Sequence, residues 1–358
     1  MHLPTKLAVA SALALAVSSP PAEAARVTVM TRNVAVGSAL TPGLTARNAQ
    51  ELSDRVGGFL KEVEANDPAI RAKNLAEEIR QAKPDLVGLQ EVAWWRTAPC
   101  SLDTAPPRAA GNLHDYLGLL LGELNRKHAD YRAVVVQPQF DVEVPTNVDG
   151  DSGTGVELIP GQLQGCEANV RLTMRDVILA RTDVRTSASA GGSFTNLLSG
   201  ALGGVPIALT RGWTSVDATV RGGRELRFVN TQLESLEPSI RALQAAELFA
   251  PGGPATGGRP VVLVGDLSSD VATGAAQVLL EAGFHSRSTP LTCCLTVYPR
   301  LAADGGGHVS QFDRKTDHVL TDDPQAVRLV RSYATGLAPA NGLWTSDHAG
   351  AVSVLNVK

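Results

Sequence analysis

The sequence predicts a mixed-sheet α/β sandwich. Three observations lead there. Apolar runs and helical periodicities alternate early in the chain, strand-like runs dominate later, and several of those runs end in a polar residue, as strand edges do where an α/β fold binds its ligand. A length of 358 residues allows one large domain or two small ones. No Pro/Ser-rich linker, heptad pattern or internal repeat divides it, so one domain over residues 25–358 is expected.

The chain opens as a secretory signal. Lys6 supplies a positive start, residues 7–17 (LAVASALALAV) are an apolar stretch too short to span a bilayer, and residues 22–24 (AEA) fit a cleavage site. Cleavage after Ala24 and a secreted or periplasmic location are expected; an uncleaved anchor is the alternative. RVTVMTRNV (26–34) alternates as a strand. Ile70, Leu75, Ile79 and Ala82 give a helix over 70–82, stopped by Pro84. DLVGLQEV (85–92) is a buried strand ending at Glu91. Leu117, Leu120, Leu121 and Leu124 place a helix over 113–128, and YRAVVVQPQ (131–139) a strand. Further strands are RDVILAR (175–181), WTSVDATV (213–220), RELRFVNTQLE (224–234), the run VVLVGD within 261–270, KTDHVLT (315–321) and HAGAVSVLNV (348–357), with a helix over 271–282. Residues 141–169 and 184–206 read as long excursions from the core, of the kind that often carry function.

Formal net charge is −4, which gives no sign of a broad nucleic-acid-binding surface but leaves room for a local basic cleft. Arg96, Arg108, Arg126, Lys127, Arg132 and Arg171 are candidates for such a cleft; Trp94, Trp95 and the segment 194–198 are candidates for contact with lipid. The four cysteines of an exported chain are expected in disulfides, with three pairings open. Cys100 with Cys166 suits two loop-like segments and would leave a vicinal Cys293–Cys294 pair. No CxxC spacing supports metal ligation by them.

Asn33, Glu91, Gln232, Asp266, Asp317 and Asp347–His348 each sit at the end of an apolar run. Singly, each has an ordinary reading as a cap or turn residue. Together they place acids, amides and an imidazole at one edge. TRNVAVG (31–37), DLVGLQEV (85–92), RDVILAR (175–181), FVNTQLE (228–234), VVLVGDLSSD (261–270), TDHVL (316–320) and TSDHAG (345–350) occur in the order and approximate spacing of the endonuclease/exonuclease/phosphatase superfamily. The chain resembles that superfamily, in its deoxyribonuclease and neutral sphingomyelinase-like branches, over nearly all of its mature length; RGWTSVD (211–217) resembles a strand of secreted bacterial members.

The resemblance implies a four-layer αββα sandwich of two packed mixed sheets and hydrolysis of phosphoesters with a divalent cation, usually Mg²⁺, or Mn²⁺ or Ca²⁺. It implies Glu91 as the principal metal carboxylate, with Asn33 beside it and Asp347 as a further acid near the metal. His348 would contact the scissile phosphate, oriented by Asp317, and Asp266 would position the attacking water. Arg175 would contact phosphate, as would Gln232 and Ser268, which stand where the family commonly has His and Asn. Mg²⁺ prefers one or two carboxylates with waters and substrate phosphate, which agrees with these residue types. The expected function is a secreted phosphodiesterase acting on nucleic acid or a phospholipid head group. A phosphomonoesterase and a non-catalytic binding module are the alternatives. Nothing marks a stable protein partner, and a monomer is expected.

Overall fold

The computed structural model describes residues 24–126, 128, 130–270, 274–296 and 301–358. The expected signal over residues 1–24 thus lies outside them except for Ala24, as do Lys127 and the start of the helix expected over 271–282. No helix of the described residues is long and apolar enough to cross a membrane.

In chain order the first elements are β1 (Ala25–Asn33), α1 (Thr41–Leu44), α2 (Ala49–Ala65), α3 (Pro68–Ala82), β2 (Leu86–Gln90), β3 (Trp94–Ala98), β4 (Gly111–Asp115) and α4 (Tyr116–Arg126). Next come β5 (Tyr131–Thr146), β6 (Ala168–Arg181), β7 (Arg185–Ser193), β8 (Leu198–Leu202), β9 (Val205–Leu209), β10 (Gly212–Val220) and β11 (Arg224–Gln232). The last are α5 (Pro238–Phe249), β12 (Val261–Asp266), α6 (Gly274–Glu281), β13 (His285–Ser286), β14 (Asp317–Thr321), β15 (Val327–Thr335) and β16 (Gly350–Val357).

One sheet runs β15-β16-β1-β2-β6-β3-β4, with β5 also paired to β6; the other runs β13-β14-β12-β11-β10-β7. Each is mixed: β1 and β2 are parallel in the first, β11 and β12 in the second, and their other pairs are antiparallel. Strand alternation sorts the side chains. Val27, Val29, Leu86, Ile178, Phe228, Val262, Val264 and Val319 meet between the sheets. Their neighbours Met30, Val87, Leu89, Val177 and Leu179 point outward onto α3 and α4. Val229, Val261, Leu263 and Leu320 point outward onto α5 and α6. The result is the four-layer αββα sandwich. Gly88 permits the close approach of the sheets: a Cβ there would meet Asn230 Oδ1 at 2.5 Å.

Several local expectations need correction. The helix expected over 113–128 begins only at Tyr116, because residues 111–115 pair with β3 as β4. The excursion over 141–169 starts inside β5: Asp141–Thr146 continue the ladder with β6, and Asp141 pairs with Arg171 at 2.5 Å. The excursion over 184–206 contains β7, β8 and part of β9, whose small residues hide a strand pattern. Helix α2 was not expected, since Gly57 and Gly58 weaken its propensity; Asn48 nevertheless caps it by accepting from Glu51 N–H. Helix α5 and strand β15 were also not expected. Cys100 and Cys166 form a disulfide with Cα atoms 6.1 Å apart, and Cys293 is paired with its neighbour Cys294.

His318, buried in β14, donates from Nε2 to Ser269 O at 2.8 Å, while its Nδ1 has no hydrogen-bond partner. Burial, reinforced by Lys315, pushes its pKa down to about 4. The neutral ring therefore gives full stability above the unfolded pKa near 6.5, lost as pH falls from there through about 4. The expected loss is about 3 kcal/mol. Urea midpoints between pH 7 and 4 check this, with His318→Asn expected to flatten the profile.

Candidate active site

The polar strand ends converge because they are in phase with the inter-sheet core. Asn33 continues the inward series of Val27 and Val29, Gln232 that of Phe228, Asp266 that of Val262 and Val264, and Asp317 precedes inward Val319 by two residues. Register then sets them side by side: Gln232 opposes Asp266, and Asp266 opposes Asp317. Gly265 makes the approach possible, since a Cβ there would lie 2.0 Å from Thr231 O.

Glu91 would follow the outward parity of Leu89, but its φ of +60° breaks the strand and turns the carboxylate back. Its Oε1 accepts from Asn33 Nδ2 at 3.1 Å and from Gln232 Nε2 at 2.6 Å. Asn33 Nδ2 also reaches Asp266 Oδ2 at 3.1 Å, and its Oδ1 accepts from Ala35 N–H at 2.9 Å. Asn33 thus presents its amide nitrogen to the two acids and positions Glu91.

His348 Nδ1 lies 2.9 Å from Asp317 Oδ2. Burial opposes charge on the imidazole, but the field and hydrogen bond of Asp317, with Asp266 and Asp347 behind it, outweigh that and hold its pKa well above the ordinary value. With Nδ1 donating to Asp317, Nε2 lies at the other side of the ring, 3.6 Å from Cys294 Sγ. Asp266, Asp317 and His348 bring their polar atoms within 4.8 Å of one another. A protonated imidazole has no lone pair for a metal, so this trio is read as proton-handling chemistry. The 345–348 turn is clamped from behind: buried Arg71 donates from Nε to Thr345 O at 2.9 Å, and buried Arg32 donates to His348 O.

Asp347 faces the cavity that Glu91 also lines. Burial, then the Glu91 charge, raises its pKa against the pull of His348. Two acids lining one space offer carboxylate oxygens, the donor type that a hard divalent cation takes.

Arg175 is not brought into this cluster. It has the outward parity of Val177, and its guanidinium donates to Val92 O at 3.0 Å and Ala93 O at 3.3 Å and pairs with Asp115 at 2.5 Å. The inward residue is its neighbour Asp176, whose pKa burial raises to about 8, with Arg211 opposing and Glu91 and Asp266 adding to the rise. The cation at the site is Arg211, which donates to Gln232 Oε1 at 2.7 Å. Sequence reading missed both Asp176 and Arg211, although strand parity marks the first and RGWTSVD contains the second.

Ser268 holds φ +48° and donates its N–H to Asp266 Oδ1 at 2.8 Å. Asn adopts this left-handed conformation more readily than Ser. Ser268→Asn is expected to stabilise the fold by on the order of 0.5 kcal/mol and, by adding an amide donor, to raise kcat/KM. Thermal melts and phosphodiester kinetics check both.

A model of the endonuclease/exonuclease/phosphatase family matches residues 48–348. The chain belongs to that family. Among solved structures it is similar to the family member from Bacteroides vulgatus, with 14% identity, a TM-score of 0.55, and 93% of this chain and 100% of that one covered. It is similar to the one from Leptotrichia buccalis C-1013-b, with 13% identity, a TM-score of 0.53, and 92% and 99% covered. It is also similar to D. rerio TDP2 complexed with a single-strand DNA product, with 16% identity, a TM-score of 0.50, and 93% and 99% covered. At these identities the likeness concerns the fold. No curated protein matches the chain.

Proposed function

We propose that the protein is an exported, divalent-metal-dependent phosphodiesterase. The observation that carries the reading is the His348–Asp317 pair beside Asp266, which Asn33 joins to Glu91. Glu91 and Asp347 would hold Mg²⁺, or Mn²⁺ or Ca²⁺ in its place. A bound cation would neutralise charge on the phosphate and stabilise the leaving oxygen.

The protein's own groups supply the rest. Asp266 accepts a hydrogen bond from the attacking water and takes its proton. His348, kept protonated by Asp317, donates from Nε2 to a phosphate oxygen as charge builds there. Arg211 brings positive charge to the same edge. Gln232 uses one Nε2 hydrogen on Glu91 and keeps the second for phosphate. Export is supported by the sequence of residues 1–24 and by the Cys100–Cys166 bridge, which suits an oxidising compartment.

The test is hydrolysis of bis-p-nitrophenyl phosphate, plasmid DNA, RNA and sphingomyelin by the purified protein, with Mg²⁺ or EDTA. Turnover that requires the metal is expected on at least one of them. Turnover unaffected by EDTA sinks the metal assignment, and no turnover by a folded protein favours a binding module.

A further inference from the structure

The candidate site opens into a cavity of about 380 Å³, within the usual ~300–1,000 Å³ of small-molecule sites. Its polar lining includes Glu91, Asp347 and Arg211, groups that belong to the site just described. Beyond them Ser38, Thr41, Thr210, Glu234 and Ser235 add polar groups, and the rest of the wall is apolar. Phe59 of α2, Trp95 of β3 and Leu172 of β6 face Leu202 and Leu209 of the β8–β9 hairpin. Trp95 is 2% exposed, so of the two tryptophans it is the one committed to this wall, while Phe194, at 3%, is part of the core under α5. Leu236, also on the wall, is half exposed to solvent, which leaves an apolar surface beside the cavity.

Among the described residues, the basic candidates for a nucleic-acid cleft are already engaged. Arg96 and Arg171 share Asp141 at 3.6 and 2.5 Å, and Arg126 pairs with Glu123 at 2.6 Å. Arg108 pairs with Asp103, and Arg132 donates to Arg181 O at 3.3 Å and Val184 O at 3.1 Å. A polyanion draws its affinity from many phosphate contacts, and this surface offers it mostly neutralised cations. A molecule with one phosphate and one hydrocarbon portion matches the arrangement: Arg211 with the acids Glu91 and Asp347 at one end, and Phe59, Trp95, Leu172, Leu202 and Leu209 behind them.

We propose that the cavity holds the hydrocarbon portion of an amphiphilic phosphodiester, so that the substrate is lipid-like. The inference rests on phosphodiester hydrolysis at the adjoining site. A series of alkyl p-nitrophenyl phosphodiesters, from methyl to octyl, tests it on the full protein with Mg²⁺. Each added methylene is expected to raise kcat/KM about fourfold until the cavity is full. Leu202→Trp, on the hairpin wall, is expected to abolish the length dependence.

Calorimetry with octyl phosphate and with inorganic phosphate reads binding without turnover. Octyl phosphate is expected to bind more than about tenfold tighter, and Leu202→Trp to remove the difference. A flat length series, or equal binding of the two ligands, overturns the proposal. So does a thymidine p-nitrophenyl phosphodiester that outperforms the octyl ester, which points to nucleic acid. Selective binding of octyl phosphate by a protein that hydrolyses nothing supports the cavity's role and removes the hydrolase reading. If Leu202→Trp does not fold, the wild-type length series and binding ratio decide.

Discussion

His348→Ala is expected to lower kcat by about 10²–10⁴-fold, the range for a positioned acid–base group. It is expected to cost stability as well. Asp317 is fully buried, its Oδ2 faces His348 at 2.9 Å, and its Oδ1 has no hydrogen-bond partner. Removing the imidazole strands that carboxylate, at about 3–5 kcal/mol for a broken buried pair. Adding Asp317→Asn to the same protein removes the stranded charge and should restore most of the urea midpoint without restoring kcat. The split between the two readouts separates a chemical role from a packing role. A His348→Ala protein that keeps wild-type kcat would falsify the assignment.

The pair also sets a pH window. His348 has a folded pKa raised above the unfolded value near 6.5. Its contribution to stability is therefore complete below about pH 6.5 and is lost as pH rises through the raised folded value. An NMR titration should find the ring still protonated at neutral pH. In Asp317→Asn the strongest upward pull on the ring is gone, and its pKa should fall.

Glu91→Gln is the second large effect. The substitution keeps an oxygen that can accept from Asn33 and Gln232, so the fold and the neighbouring hydrogen bonds should persist. It removes the charge that a divalent cation needs. Loss of one positioned electrostatic group of this kind costs about 10²–10³-fold in rate. The expected result is that drop in kcat/KM, a weaker Mg²⁺ isotherm in calorimetry, and partial rescue at high Mg²⁺. Unchanged Mg²⁺ binding would move the metal away from Glu91.

Much of the fold was legible because the apolar patterns are strong. The runs ending at Asn33, Glu91, Gln232 and Asp266 are buried strands whose alternation survives in the structure, and the repeat of Leu75 and Ile79 marks the core face of α3. Elements with weak patterns were not legible. Helix α2 carries two adjacent glycines, β7 consists mostly of Ser, Ala and Gly, and the second half of β5 mixes Asp141, Glu143 and Thr146 with Val142 and Val144.

The sequence by itself determined which residue types gather at the strand ends, since core parity carries Asn33, Gln232, Asp266 and Asp317 to the same face. That parity also separates Arg175 from Asp176, a distinction the motif alone does not make. Only the tertiary structure decided three things. The positive φ of Glu91 reverses its parity and aims it at Asn33 and Gln232. Arg211, just ahead of β10, becomes the cation at the site because β10 pairs antiparallel with β11 and sets Gly212 opposite Gln232. The apolar cavity exists because α1, α2 and the β8–β9 hairpin, far apart in the chain from β3 and β6, close over the same sheet end. The physical reason is common to all three: backbone reversal, cross-strand register and enclosure are set by long-range contacts, which a periodic pattern within one segment does not encode.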